Sequence, residues 1–396
     1  MNDEKPNALP RRHFLATLAA LPAGAIAMSV KLPETTSNPD LPYPALRVRG
    51  DSYGEIGFQI GSGFGERIRA AIETRRAWVE KLEAFVAADP ALRFDPFLHA
   101  TTEEYPRLLE EMRGLGEGAR VDFRRLFTMA LNPELAALMR ARNPEKECTS
   151  VAVAAGDRLW IGHNEDGACD YLLSMYLLEI AWPSGLASWC LCYPGYFPGN
   201  GPSANSAGLA QTVNFIAGTA VRPGVPRYVL DRAALEARSL DEAVAIATHP
   251  RRSYSQHHLF LSRNEGRIVS VETSTERHST VEVAGIYAHA NHFIHPAMRE
   301  LKQIQVAVSS SAPRQQTADA WARSVDPAAV SEADLLGLLT SHQNFPLSIC
   351  RHPAPGMTGC TLGAALFLGR EARIEFYHQQ PCRGLRAELP WPAPAK

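Results

Sequence analysis

Residues 147–167 read Glu147-Cys148-Thr149-Ser150-Val151-Ala152-Val153-Ala154-Ala155-Gly156-Asp157-Arg158-Leu159-Trp160-Ile161-Gly162-His163-Asn164-Glu165-Asp166-Gly167. Two β-rich runs flank Gly156-Asp157, the pattern of a hairpin with a two-residue loop. Ala155 then faces Arg158, and each step back along the first strand is a step forward along the second. Cys148 therefore faces Glu165, with Asp166 next along. A one-residue shift of the loop moves the partner to Asn164 or His163, so the hairpin brings the segment His163-Asn164-Glu165-Asp166-Gly167 to the thiol. A thiol attacks a carbonyl only when something takes its proton. No Cys here sits in a papain-like or caspase-like signature. The alternative base is the residue's own α-amine, which titrates near about pH 8 and is freed when the chain is cut just before the nucleophile. A cut between Glu147 and Cys148, at a helix-to-strand boundary, would leave Cys148 heading a strand.

Upstream of this stretch the texture is helical. Ile56, Ile60, Phe64, Ile68 and Ile72 recur every four positions, which predicts a long helix over 53–88. Gly57, Gly61 and Gly65 share that spacing, at some expense of helix propensity, and let another backbone approach closely. Further helices are expected over about 103–118 and 123–140. Downstream, short strands follow one another: 176–182, 187–193, 208–214, 258–262, 267–272, 279–283, 286–289, 361–368 and 373–378. Helical stretches over 226–248, carrying the capping signature Ser239-Leu240-Asp241-Glu242, and from Ser331 interrupt them. Antiparallel sheets packed against helices on both sides use such a pattern, so the expected class is layered α+β.

The chain has 396 residues, 45% hydrophobic and 21% charged, as in an ordinary globular protein. Forty Lys and Arg against 42 Asp and Glu leave no basic surplus, which argues against nucleic acid and for a small-molecule partner. Pro10-Arg11-Arg12-His13-Phe14-Leu15 leads into an apolar stretch, Leu18 to Val30, too short to span a bilayer. Arg-Arg before Phe-Leu resembles a twin-arginine export signal, and Ala23-Gly24-Ala25 and Ala25-Ile26-Ala27 are candidate cleavage sites. The expected partner is then the twin-arginine export machinery, the destination periplasmic or secreted, and the mature form has no stable membrane span. The expected division is signal 1–27, linker 28–45, helical small chain 46–147 and catalytic chain 148–396, the last two forming one structural domain. Seven cysteines leave at least one thiol unpaired, and Cys190 and Cys192 share a strand face that suits no bridge between them.

Seven motifs occur in order along the chain. They are 53–61 (Tyr53-Gly54-Glu55-Ile56-Gly57 onward), 111–118 (Glu111-Met112-Arg113-Gly114-Leu115-Gly116-Glu117-Gly118), Cys148-Thr149-Ser150, His163-Asn164-Glu165-Asp166, 205–210 (from Asn205-Ser206-Ala207-Gly208), His289-Ala290-Asn291-His292, and Ser348-Ile349-Cys350-Arg351-His352. Together they resemble the isopenicillin N acyltransferase, or acyl-CoA:6-aminopenicillanic acid acyltransferase, family of N-terminal-nucleophile cysteine hydrolases. The resemblance implies an αββα four-layer sandwich that cleaves itself, here between Glu147 and Cys148, into a small and a large chain. It implies that Cys148 forms a thioester with a small-molecule amide substrate. Asp166 would orient the nucleophile's amino end, Asn291 would stabilise the oxyanion through its side-chain amide, and Arg351 would supply positive charge. Asn164, Glu165 and Asn214 are the expected substrate contacts. No cofactor or metal is expected. Two departures stand out: the well-known acyltransferase has Gly where Glu147 stands and an aromatic residue where Glu165 stands.

Water as acyl acceptor gives an amide hydrolase, and an amine gives an acyltransferase. Acyl-CoA is cytoplasmic, so export favours hydrolysis. A rival reading uses His289, His292 and His295, with His257 and His258 nearby, as ligands of a metallohydrolase. A threefold spacing on a strand running into a turn does not bring those side chains to one face. An exported binding protein without catalysis is the remaining alternative. Trp182, Trp189, Tyr193, Tyr196 and Phe197 are candidates for an apolar acyl pocket or for simple core.

Overall fold

The computed structural model describes residues 41–140, 147–303 and 309–394. The expected signal and most of the linker lie outside these residues. Among them no helix is long and apolar enough to cross a membrane.

A strand, β1 (Ala45–Arg49), precedes helices α1 (Tyr53–Thr74), α2 (Arg76–Ala88), α3 (Pro90–Arg93), α4 (Asp95–Glu104), α5 (Pro106–Ala119), α6 (Phe123–Ala130) and α7 (Asn132–Leu138). Ser52 starts α1 by accepting from the Glu55 amide, and the predicted isoleucine stripe is its buried face. The single helix expected over 53–88 is two, because Arg75 leaves helical geometry and lays its guanidinium over the Tyr171 ring. The glycines place α1 against α5. A Cβ on Gly57 would lie 1.9 Å from the Glu111 carbonyl oxygen, and one on Gly114 would lie 1.9 Å from that of Gly54. Only glycine allows backbones that close.

The hairpin follows: β2 (Thr149–Ala155) and β3 (Arg158–Ala168), with Gly156 at φ +56° in the loop. The pairs Thr149 with Asn164 and Ala155 with Arg158 give the register that the two-residue loop predicts, and its continuation sets Cys148 opposite Glu165. Next come β4 (Tyr176–Ala181), β5 (Ala187–Cys192), β6 (Ser203–Asn205), β7 (Leu209–Phe215), α8 (Arg227–Ala234) and α9 (Leu240–Ala247). The one helical stretch expected over 226–248 is divided because Ser239 caps a new helix, accepting from the Glu242 amide. The chain ends with β8 (Gln256–Ser262), β9 (Arg267–Thr273), β10 (His278–Glu282), β11 (Gly285–His289), α10 (Ser311–Ser324), α11 (Glu332–Leu339), β12 (Gly359–Leu368), β13 (Arg373–His378) and β14 (Arg386–Pro390).

Strands β1-β4-β5-β6-β7-β8-β9-β10 form one sheet and β11-β2-β3-β12-β13-β14 the other. Only β1 runs parallel to its neighbour, β4. Side-chain alternation makes four layers of this. Val151 and Val153 pack outward on Leu335, Leu338 and Leu339 of α11. Ala152 and Ile161 point inward to a core shared with Leu259, Leu261 and Ile268 of the other sheet. That sheet's outer face, with Phe260, Val269 and Val271, is covered by Leu240, Ala243 and Ala247 of α9. The architecture is an αββα sandwich, and α1 to α7 close one side of its common core. Ser150, His163, Glu165, Asn214 and His257 lie at the inner sheet–sheet boundary, where each needs a partner to be tolerated.

Candidate active site

Cys148 stands just before β2 and is 3% exposed. Its side chain shares the inner face with its cross-strand partner. Its Sγ lies 3.6 Å from Glu165 Oε1 and 3.9 Å from the Asp166 carbonyl oxygen. Burial, and after it the charges of Glu165 and Asp166, push the thiol well above its ordinary pKa. It therefore carries its proton until a base removes it.

Glu165 is that neighbour, and both its oxygens are engaged. Oε1 accepts from Tyr193 Oη at 2.6 Å, and Oε2 meets His163 Nε2 at 3.0 Å. His163 Nδ1 reaches Ser150 Oγ at 2.8 Å, which donates across the sheet boundary to Asn214 Oδ1 at 2.7 Å. Asn214 Oδ1 also faces His257 Nδ1 at 2.9 Å, and His257 Nε2 reaches Ser270 Oγ at 2.9 Å. A buried hydrogen-bonded ladder thus runs from the thiol through both sheets. Burial and then the stacked His289 ring hold His257 well below the usual imidazole pKa, so it sits neutral in the ladder.

The amino side of Cys148 is held separately. Its backbone N–H donates to Asn291 Oδ1 at 2.8 Å, and Arg314 Nη2 donates to the same oxygen at 2.6 Å. Asn291 Nδ2 donates to the Phe215 carbonyl at 2.9 Å. Two donors on one atom and a carbonyl on the other fix the amide's orientation. Arg314 also donates to the Cys148 carbonyl oxygen and, at 2.7 Å, to Thr149 Oγ1.

Glu147 is 9% exposed, and its carboxyl group is held by polar side chains. Its Oε2 accepts from Ser310 Oγ and, at 2.9 Å, from Arg351 Nη1, with Arg314 Nη2 at 3.8 Å. Arg351 Nη1 also lies 3.7 Å from Asp166 Oδ2. Asp166 Oδ1 accepts from Thr361 Oγ1 at 2.7 Å, where a bulge at Leu362 shifts the register of β12 against β3. Burial lifts the Asp166 carboxyl to about 7 although Arg351 and Arg314 pull it down.

The structure brings Cys148, Glu147, Glu165, Asp166, Asn291 and Arg351 together, with contacts that differ in part from those expected. The amino end of Cys148 rests on Asn291 and not on the Asp166 carboxylate, which is turned to Thr361 and Arg351. Asn291 donates one of its two side-chain N–H groups to the Phe215 carbonyl and accepts from the Cys148 nitrogen through Oδ1. Glu165 touches the thiol, with its oxygens tied up as a base or relay would have them. Asn164, expected beside the substrate, points to the opposite face, where Nδ2 donates to the Leu339 and Ile349 carbonyls at 2.8 and 3.0 Å. Strand alternation is the reason: neighbours 163 and 165 face inward, 164 outward. Asn214 is fully buried in the ladder, behind Ser150 as seen from the thiol.

Arg314 was not foreseen, because α10 itself was not; the run Ser309-Ser310-Ser311-Ala312-Pro313 was its available start signal. The histidines of the metallohydrolase reading do not converge. His289 Nε2 is on Glu272 at 2.9 Å, His292 Nδ1 on Ser311 at 2.7 Å and His295 Nε2 on Ser270 at 2.9 Å. Of the aromatic candidates, Tyr193 and Tyr196 form edge contacts with Tyr171, and Trp182 lies under the Arg232 guanidinium at 3.7 Å.

Comparison with known proteins places residues 153–383 in the family described as acyl-coenzyme A:6-aminopenicillanic acid acyl-transferase. The match begins after Cys148. A β-alanyl-dopamine/carcinine hydrolase of Drosophila melanogaster is 27% identical over 220 residues, 51% of this chain and 56% of that protein. The chain thus spans about half the length of that relative. Two solved structures align distantly, each with a TM-score of 0.38. Penicillin V acylase from Agrobacterium tumefaciens shares 11% identity over 58% of this chain and 82% of that one. A mutant conjugated bile acid hydrolase from Clostridium perfringens shares 10% over 61% and 92%. At that distance they carry no argument about chemistry.

Proposed function

We propose, for a chain that belongs to the acyl-coenzyme A:6-aminopenicillanic acid acyl-transferase family, that Cys148 is the nucleophile of an amide hydrolase matured by a cut after Glu147. The observation that carries this reading is the setting of Cys148, with its thiol on Glu165, its nitrogen on Asn291 and its carbonyl on Arg314.

In the intact chain the Cys148 nitrogen is an amide and cannot act as base. Glu165 Oε1 takes the thiol proton, and the thiolate adds to the Glu147 carbonyl carbon. The C–N bond then breaks, and the Cys148 nitrogen leaves as an amine with the proton that Glu165 returns. Water hydrolyses the thioester, restoring the thiol and leaving Glu147 as a chain end. The bulky, charged Glu147 is compatible with this because Arg351 and Ser310 already hold its carboxylate. Thereafter the free α-amine, beside Asn291, serves as base for attack on a small N-acyl or amino-acyl amide.

Hydrolysis is favoured by the hydrolase from Drosophila melanogaster, and transfer to an amine by the family's description. Export through the twin-arginine route, to the periplasm or beyond, is supported by Pro10-Arg11-Arg12-His13-Phe14-Leu15 and the apolar run after it. The test is to treat the purified protein with a thiol-reactive acyl analogue and map the label, alongside a panel of β-alanyl and other N-acyl amides with and without added amine. Label on Cys148 with loss of amidase activity supports the reading, and release of free acid or of a new amide separates hydrolysis from transfer. Persisting activity with Cys148 fully labelled refutes it.

A further inference from the structure

Away from the thiol of Cys148, four side chains from three segments turn towards one point. His342 follows α11, Cys350 and His352 flank Arg351, and Cys382 lies in the 3-10 turn Pro381–Arg383 after β13. Their donor atoms all lie within 4.8 Å of one another. The Cys350 and Cys382 sulfurs are 3.6 Å apart. His352 Nε2 is 3.8 Å from Cys350 Sγ, 3.3 Å from Cys382 Sγ and 3.0 Å from His342 Nε2.

These distances have a simple geometric meaning. A tetrahedral zinc site, with bonds of about 2.3 Å to sulfur and about 2.05 Å to nitrogen, has edges of about 3.8 Å between sulfurs, about 3.5 Å between sulfur and nitrogen and about 3.3 Å between nitrogens. The four separations above match those edges to within a few tenths of an ångström. A disulfide would need the sulfurs near about 2.05 Å and would give the two imidazoles no reason to converge. Two thiols and two imidazoles are also the ligand set that selects a borderline-soft, tetrahedral cation over calcium or magnesium.

We propose that His342, Cys350, His352 and Cys382 bind one zinc-like divalent cation in a closed Cys2His2 shell. Four protein ligands leave no open position, so the site is structural. His342 and Cys382 are exposed, so an ion and a chelator both have access. Its consequence lies in the residue between two of the ligands. Cys350 and His352 turn to this cluster while Arg351 turns to the carboxylates of Glu147 and Asp166, so an ion there would fasten the segment that holds Arg351 against them.

The test uses the full chain, reduced, stripped with a chelator and titrated with Co2+ and then Zn2+. Co2+ is expected to bind at one equivalent with the intense visible bands of a tetrahedral field and a sulfur-to-cobalt charge-transfer band, and Zn2+ to abolish both. Cys382→Ser and His342→Ala, at exposed positions, are expected to lose the bands, whereas Cys148→Ala keeps them. The proposal is overturned if the wild-type chain gives no such bands. It is overturned equally if Cys148→Ala alone loses them, or if protein isolated with its thiols blocked carries a Cys350–Cys382 disulfide.

Discussion

The backbone nitrogen of Cys148 donates to Asn291 Oδ1, 2.8 Å away, and Arg314 Nη2 donates to the same oxygen. In the proposed cleavage, the atom that would become an amine is thus already held while it is still an amide. Asn291→Ala leaves two buried donors without their acceptor and lets the Cys148 nitrogen drift. Loss of that positioning is expected to slow the appearance of the cleaved chain by about 100-fold, followed by denaturing electrophoresis. Asn291→Asp keeps an acceptor and is expected to lose less.

In the proposed mechanism Glu165, 3.6 Å from the thiol, takes its proton in the intact chain. Glu165→Gln keeps the shape and removes the base, and it is expected to slow self-cleavage by about 10²- to 10⁴-fold in the same time course. An unchanged rate would remove Glu165 from the mechanism and leave it the structural contacts with Tyr193 and His163.

Asp166 ties stability to pH. Its carboxyl titrates at about 7 when folded, against an ordinary value of 3.8, chiefly because it is buried. Between these values the unfolded chain has released the proton and the folded chain keeps it, so stability falls as pH rises from about 4 to about 7 and then levels. Urea unfolding of Asp166→Asn at several pH values is expected to lack this part of the slope.

The contact of α1 with α5 tests the role of the glycines. Gly114→Ala puts a methyl 1.9 Å from the Gly54 carbonyl oxygen, so the helices must separate. Overpacking of this kind costs about 1–3 kcal/mol or more, read as a lower denaturation midpoint.

The hairpin was legible in the sequence, and counting back from its loop brought the segment His163–Gly167 to Cys148. The observed register selects Glu165 from that segment. The isoleucine stripe and the glycine spacing foretold a helix that admits another backbone, and α5 is that partner. Strands β1 and β14 were not foreseen. Both carry charges at alternate positions, and the chain around Arg386–Pro390 has no β-branched residue to mark a strand. Arg314 lies 166 residues from Cys148 along the chain, and no local pattern announces a pairing of that range. The contact between the Cys148 nitrogen and Asn291 was equally hidden. Which end of an amide faces a neighbour is settled by three-dimensional partners, here Phe215 and Arg314, and motif position does not carry that information. Asn164 shows the opposite case, since strand alternation already turned it away from Glu165.

In the proposed maturation Cys148 is freed by a cut after Glu147. Intact mass and N-terminal sequencing of the purified, denatured protein test it directly, with Cys148→Ala alongside. Two chains are expected, the heavier beginning at Cys148, and Cys148→Ala should stay whole. A single uncut chain in protein that hydrolyses amides, or a Cys148→Ala chain cut at the same bond, would contradict the account.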